Sequence, residues 1–161
     1  MRIRKATPKD IPSIVPHWIS LFDFETKLIL RINKQFSPIR HKGKDFEKRV
    51  KVYCTQYLKN KNKIMLIAEE NGRIAGFIQA GISQDEEWVV PLRMGTFDWM
   101  YVHPDFRGKG VSSTLYAGVR NWFKKNKCKF ESVGIVPTNN VRDIYQKWGY
   151  TEAATYLWKR V

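Results

Sequence analysis

The sequence predicts a mixed α/β fold, a mostly antiparallel central sheet with helices on both faces, and three observations carry that expectation. Ile64–Glu70 and Arg73–Ile82 are apolar, strand-like runs separated by Asn71-Gly72, a dipeptide suited to a two-residue hairpin turn. Residues 11–19 and 44–58 carry apolar side chains at helical spacing: Ile11, Ile14, Val15, Trp18 and Ile19 in the first, Phe46, Val50, Tyr53 and Tyr57 in the second, with the stretch 20–60 mostly helical but irregular and Leu21–Ile32 apolar-rich. Thr96–Leu115 passes from a strand pattern through His103-Pro104 and Arg107-Gly108-Lys109-Gly110 into helical periodicity. Strands and helices interleaved in this way bury a sheet between helical layers.

The elements follow in order. Arg2–Lys5 reads as a short edge strand. Thr7-Pro8-Lys9-Asp10 reads as a helix start, with Thr7 as cap, Pro8 at the first helical position and Asp10 at the positive end of the dipole. Pro16 falls inside the apolar pattern and is expected to shorten or kink that helix. Ser37-Pro38 and Gly43 mark breaks. Gly76 and Gly81 are candidate bulge points in the second hairpin strand. Ser83–Pro91 is a loop holding Asp85, Glu86 and Glu87, and Arg93–His103 is the next strand. Gly110–Asn126 is a helix with Val111, Leu115, Val119, Trp122 and Phe123 on one face. Cys128–Val136 is a strand ended by Pro137. Thr138-Asn139-Asn140 caps a short helix bearing Val141, Ile144, Tyr145 and Trp148, with Gly149 at its C′ position. Thr151–Val161 is expected to close the sheet as a last strand.

Composition narrows the function. A chain of 161 residues is expected to form one domain, residues 1–161, with a core of its own. Two cysteines without CxxC spacing provide neither a disulfide framework nor a metal set. No apolar run has membrane-spanning length and the first residues lack a signal-peptide core, so a cytoplasmic location is expected. Lys and Arg number 29 against 15 Asp and Glu, a net charge of +14. That charge is compatible with a nucleic acid, a polyanionic small ligand, or solubility alone. Much of it falls between Arg31 and Lys51, where a solvated helical face is the simpler explanation.

The strand, glycine turn and helix at 96–115 form a ready anion cradle. Glycines let the backbone approach a phosphate, and the first N–H groups of the following helix have no intrahelical partner. The sequence lacks the G-x-x-x-x-G-K-[ST] frame of nucleotide phosphate-binding loops.

Val102-His103-Pro104-Asp105-Phe106-Arg107-Gly108-Lys109-Gly110-Val111 resembles the strand end and pyrophosphate loop, Arg/Gln-x-x-Gly-x-Gly/Ala, of the GCN5-related N-acetyltransferase (GNAT) superfamily. Tyr145-Gln146-Lys147-Trp148-Gly149-Tyr150 is similar to the family's Y-x-x-x-G-[F/Y], and Ile3–Asp10 to its first strand and helix start. Ser112 stands where the family's loop usually ends in Gly or Ala. At the family's Asn position, seven residues before the tyrosine, this chain has Thr138, so either Thr138 or Asn139 takes that role.

The resemblance implies a sheet that splays between the fourth and fifth strands and acetyl-CoA as cosubstrate, with no metal. It places the pyrophosphate on the N–H groups across Arg107, Gly108, Lys109, Gly110, Val111 and Ser112, and the pantetheine arm along the backbone of Met100, Tyr101 and Val102. An N–H of Met100 or Tyr101 would polarise the thioester carbonyl. The reaction it implies is direct attack of a primary amine on the thioester. An aliphatic ammonium, with a pKa near 10.4, is neutral in only about one molecule in two thousand at pH 7, so a base is required. By the period of two, Asp98 shares a face with Met100 and Val102 and is the first candidate, ahead of Glu86 and Glu87. Tyr145 matches the tyrosine that protonates the leaving thiolate. The acceptor is expected to be an amine-bearing small molecule or peptide, with Trp18, Phe22, Phe24, Tyr53, Tyr57 and Trp88 as possible lining. A homodimer is compatible with the sequence, and a membrane partner is not expected. The alternative is a GNAT-like module that binds CoA or a nucleic acid without catalysis. It ranks second, since no nucleic-acid-reading motif is present.

Overall fold

A five-stranded sheet in the order β1-β2-β3-β4-β5 forms the middle of the molecule. The computed structural model describes residues 1–84 and 92–159, so Asp85, Glu86, Glu87 and Trp88 lie outside the described residues. The strands are β1 (Arg2–Lys5), β2 (Lys63–Glu70), β3 (Arg73–Gln84), β4 (Arg93–Val102) and β5 (Phe130–Val133). The helices are α1 (Ile11–Ile32), α2 (Phe46–Lys59), α3 (Val111–Lys125) and the six-residue α4 (Arg142–Lys147). The first three strand pairings are antiparallel, whereas β4 and β5 run parallel. The hairpin between β2 and β3 turns on Asn71 and Gly72, both at positive φ (51° and 73°), as the primed turn requires.

β2 and β3 are buried on both faces, which is why their sequences read as nearly continuous apolar runs. On one face Leu66, Ile78, Ala80 and Phe97 pack against Leu115, Val119 and Phe123 of α3. α3 comes so close to β2 that a Cβ on Gly118 would lie 2.7 Å from Leu66 Cδ1. On the other face Met65, Ile67 and Phe77 pack against Ile14, Val15 and Trp18 of α1 and Val50, Cys54 and Tyr57 of α2. Phe77 is fully buried, and its truncation to Ala is expected to cost about 3–5 kcal/mol.

Four elements differ from the sequence expectation. Pro16 does not interrupt α1, which is one continuous 22-residue helix; the proline removes a single N–H donor, and the Ser20 hydroxyl donates to the Pro16 carbonyl at 2.9 Å. The expected helix start is a separate 3-10 turn at Pro8–Asp10 that leads into α1; Thr7 is its N-cap, with Pro8 first and Asp10 in the first turn as expected, and Asp10 gathers the hydrogen bonds there. Asp10 Oδ2 accepts from the Thr7 N–H (2.7 Å) and hydroxyl (2.8 Å), and its carboxylate takes both terminal nitrogens of Arg4. The cap expected from Thr138-Asn139-Asn140 is absent, since α4 starts one turn later from Val141 without a side-chain cap. Thr138 is drawn away by α1, its hydroxyl donating to the Leu28 carbonyl at 3.2 Å.

The last strand expected over Thr151–Val161 does not form among the described residues. Thr151–Lys159 is exposed and carries no strand, with Tyr156 and Leu157 86% and 91% exposed. A strand exists only against a partner. Here β5 is limited to four residues, and Trp158 finds its contact edge-on against Phe36 instead (ring centroids 5.4 Å).

Candidate active site

The site is organised by β4, and two local features of that strand decide its geometry. The first is its partnership with β5, which runs only from Met94↔Phe130 to Phe97↔Val133. Beyond Phe97 the outer edge of β4, from Asp98 to Val102, has no strand partner among the described residues, while its inner edge stays paired to β3 as far as Gly76↔Val102. This is the splay expected between the fourth and fifth strands, and it places the backbone of Met100, Tyr101 and Val102 on an open edge.

The second feature is a bulge. Gln79 pairs with Trp99 but Ala80 pairs with Phe97, so Asp98 is an extra residue in β4. This bulge sits in β4 and not at Gly81; a second lies in β3 beside Gly76, as expected there, because Ala68 pairs with Gly76 but Glu69 with Ile74, which leaves Ala75 as the extra residue. An extra residue reverses the side-chain alternation. Asp98 therefore does not share a face with Met100 and Val102, which pack toward α3. It points to the α1/α2 side, together with Trp99 and Tyr101. There Asp98 Oδ2 accepts a hydrogen bond from the Tyr57 hydroxyl at 2.8 Å, and Lys63 Nζ stands 3.8 Å away. A quarter of the Asp98 side chain remains exposed. Burial and the charge of Asp98 raise the Tyr57 hydroxyl far above its usual range, so it is a fixed donor. The same two causes push Tyr53 up to about 12. Trp18, Phe22, Phe46, Tyr53 and Trp99 continue this wall as touching rings. Phe24, in contrast, is 48% exposed, outside that row.

At the other end of the open edge, Gly108 and Gly110 both take left-handed backbone (φ 74° and 75°), and Gly110 caps α3. The first intrahelical bond of that helix is donated by Thr114 to Gly110. The N–H groups of Val111, Ser112 and Ser113 are thus the unpaired first turn. Arg107 folds back, its Nε donating to the Val102 carbonyl at 3.2 Å, and Lys109 lies over the Phe106 ring. Arg107–Gly110 is exposed, Ser112 is half-buried, and Phe106 and Val111 are buried and anchor the turn to the core.

Tyr145 on α4 meets Trp148 and Tyr150 edge-on at 5.4 and 5.5 Å, and Trp148 stacks flat on Tyr116 at 4.0 Å. Burial first, then Tyr116 and Glu25, push the Tyr145 hydroxyl up to about 12. Asn139 is held by its backbone, its N–H donating to Val136. Glu25 was not singled out from the sequence. The signal was available, because it sits seven residues after Trp18 in the apolar stripe of α1, where a carboxylate is out of place.

No helix among the described residues is long and apolar enough to cross a membrane, and no cluster of three or more His, Cys, Asp or Glu able to hold a metal occurs among them.

Fold and site together define the class, an acyl-CoA N-acyltransferase. Residues 61–152 match the family described as Acetyltransferase (GNAT) domain, which is more than half of the chain. The protein belongs to the GNAT acetyltransferase family. Over 158 residues it is 26% identical to YhfO of Bacillus subtilis (strain 168), named an uncharacterized N-acetyltransferase, covering 98% of this chain and 94% of that one. A predicted acetyltransferase of Clostridium acetobutylicum, solved with acetyl-CoA, is similar in fold (TM-score 0.68, 22% identity, 99% of this chain and 95% of that one). So is the aminoglycoside N-acetyltransferase AAC(6')-Iy in complex with CoA (TM-score 0.68, 20% identity, 99% and 98%).

Proposed function

We propose that residues 1–161 act as a single acetyl-CoA-dependent N-acetyltransferase domain that moves the acetyl group to a primary amine by direct attack on the thioester. The observation that carries this reading is the continuity of the open edge of β4. It begins at the bulged carboxylate Asp98, one residue past the last β5 pairing, and ends at the glycine turn and unpaired first turn of α3. Five strand residues span about 17 Å, so a carboxylate and an anion cradle stand at the two ends of one exposed backbone. The CoA and acetyl-CoA complexes of the two solved neighbours support the choice of cosubstrate.

In this reading the N–H groups from Arg107 to Ser112 hold the pyrophosphate, and Arg107 and Lys109 add charge that is already close by. The backbone of Met100, Tyr101 and Val102 receives the pantetheine arm. An N–H at Met100 or Tyr101 polarises the thioester carbonyl. Asp98 removes a proton from the acceptor ammonium, directly or through water, while the Tyr57 hydroxyl fixes its orientation. Tyr145, with its hydroxyl near 12, stays protonated at neutral pH. Full transfer to a thiolate whose conjugate acid lies near 8.5 would be uphill by about three and a half units, so Tyr145 serves as a hydrogen-bond donor to the sulfur as charge develops there. Thr138 is engaged with α1 through its hydroxyl, which favours Asn139 for the family's Asn role.

Thiol release from acetyl-CoA, measured across a panel of amines and peptides, tests the proposal. Release that depends on an added amine supports it. Tight CoA binding with no release from any acceptor would support a non-catalytic module instead.

A further inference from the structure

Lys63 is the first residue of β2, and β3 separates it from Asp98 on β4. Its partner on β3 is Gly81, which leaves the way across open: a Cβ there would lie 3.8 Å from both Asp98 Oδ2 and Lys63 Cγ. The lysine stem crosses β3 at that gap. Its Nζ comes to 3.8 Å from Asp98 Oδ2 and 4.6 Å from the centre of the Tyr57 ring. The face of that ring attracts the ammonium, and the Tyr57 hydroxyl donates to the same Asp98 oxygen at 2.8 Å. At 3.8 Å the amine lies in the field of the carboxylate without being hydrogen-bonded to it. The two side chains are 36% and 25% exposed, so neither group is sealed off.

A primary amine beside the carboxylate that serves as base stands where an acceptor has to stand. Other lysines held by a ring or a carboxylate among the described residues are Lys42, on Asp23 and the Phe46 ring, and Lys109, over the Phe106 ring. Neither of them meets Asp98. Asp98 also begins the open edge of β4, and Met100 and Tyr101 follow it there. Two strand residues span about 7 Å, and the four-carbon stem of a lysine is flexible. The Lys63 amine is therefore free to swing along the edge from Asp98 toward the place where an N–H of Met100 or Tyr101 would hold a thioester carbonyl.

We propose that Lys63 is a self-acetylation site, an internal acceptor that the transfer site modifies within its own chain. The inference rests on the transferase reading above and adds a lysine ε-amine to the groups the site accepts. Asp98 takes one proton from the Lys63 ammonium, and the neutral Nζ attacks the thioester carbonyl. The N–C bond forms and the C–S bond breaks, with the electron pair leaving on sulfur. The second proton lost from nitrogen ends on that sulfur, which gives CoA, and the first passes from Asp98 to water. The amide carries no charge, so the modification removes a cation from the Tyr57 ring and from Asp98 and occurs once per chain.

The test incubates the purified protein with acetyl-CoA alone and follows the mass of the intact chain and of its peptides. Lys63 is expected to gain an acetyl group about tenfold faster or more than any other lysine, the advantage of a held amine. The rate constant should not depend on protein concentration, and excess CoA should slow it. Asp98→Asn, checked for folding by its melting curve, should slow it by about 100-fold. Lys63→Arg should stay unlabelled over the time in which the wild type gains one group. Acetyl groups spread evenly over the lysines, or a Lys63 rate unchanged by excess CoA or in Asp98→Asn, would mark plain chemical reactivity and overturn the inference. Thiol release with an added amine while Lys63 stays unmodified overturns this inference alone. A wild type that binds acetyl-CoA but releases thiol with no amine and leaves Lys63 unmodified overturns the transferase reading and this inference with it.

Discussion

The two ends of β4 are built on different principles. The end at Val102–Ser112 is local: one strand, one glycine turn and one helix start, consecutive in the chain, with the backbone N–H groups of the first helical turn left unpaired. The end at Asp98 is assembled from afar. It needs Tyr57 from α2, Lys63 from β2 and, through Trp99, Trp18 from α1. A backbone cradle tolerates many side-chain changes so long as φ is kept. An assembled site depends on individual side chains whose positions are fixed by packing. This suits a protein that binds one invariant cosubstrate at one end and must choose its acceptor at the other.

Substitutions at the two ends should separate in what they affect. Tyr145→Phe is expected to reduce turnover most, by about 100-fold, the scale for a lost hydrogen-bond donor to developing charge, while acetyl-CoA affinity measured by calorimetry stays the same. A turnover that does not change would remove Tyr145 from the chemistry. Gly110→Val attacks the local end. A Cβ there meets nothing within 4 Å, so the penalty is the left-handed backbone itself, about 1–2 kcal/mol or roughly tenfold in acetyl-CoA affinity, with the acceptor preference of the remaining activity unaltered. Normal acetyl-CoA binding by this variant would show that the cradle is not made of backbone.

Tyr57→Phe probes the assembled end through its support. It deletes the donor to Asp98 and should lower stability by about 1–2 kcal/mol in urea unfolding, together with a smaller fall in turnover. Unchanged turnover alongside the stability loss would make the Tyr57–Asp98 contact purely structural. Asp10→Asn is the control with the smallest effect, about 1 kcal/mol of stability and none on turnover. Arg4 and the Thr7 donors hold the Asp10 carboxyl below its ordinary value of 3.8. A carboxyl lowered in the folded state stabilises above its unfolded pKa, and that stabilisation is lost as pH falls through the lowered value. The gap between wild type and Asp10→Asn should therefore be flat at neutral pH and shrink below about pH 4, which thermal melts across that range would show.

Legibility in the sequence followed the same division. The hairpin at Asn71-Gly72 and the turn at Gly108 and Gly110 were readable because each is a conformation that few residues adopt. The stripes of α1, α2 and α3 were readable because burial of a helix face imposes a 3.6-residue period. The face of Asp98 was not readable, because period-two reasoning assumes an uninterrupted ladder and the bulge is visible only once the register against Gln79 and Ala80 is known. The terminal strand failed for a related reason. Thr151–Lys159 holds residues that favour strands (Thr151, Thr155, Tyr156 and Trp158), but a strand there depended on an edge that β5 does not extend far enough to offer.

The sequence by itself determined the family, the order of elements as far as α4 and the glycine turn before α3, all of which rest on short-range rules of backbone sterics and periodicity. Only the tertiary structure decided which carboxylates and hydroxyls meet. It turned Asp98 toward Tyr57 and drew Thr138 to Leu28. Such pairings join residues 41 to more than 100 positions apart, and no local rule specifies a contact that is set by how helices settle on a twisted, bulged sheet.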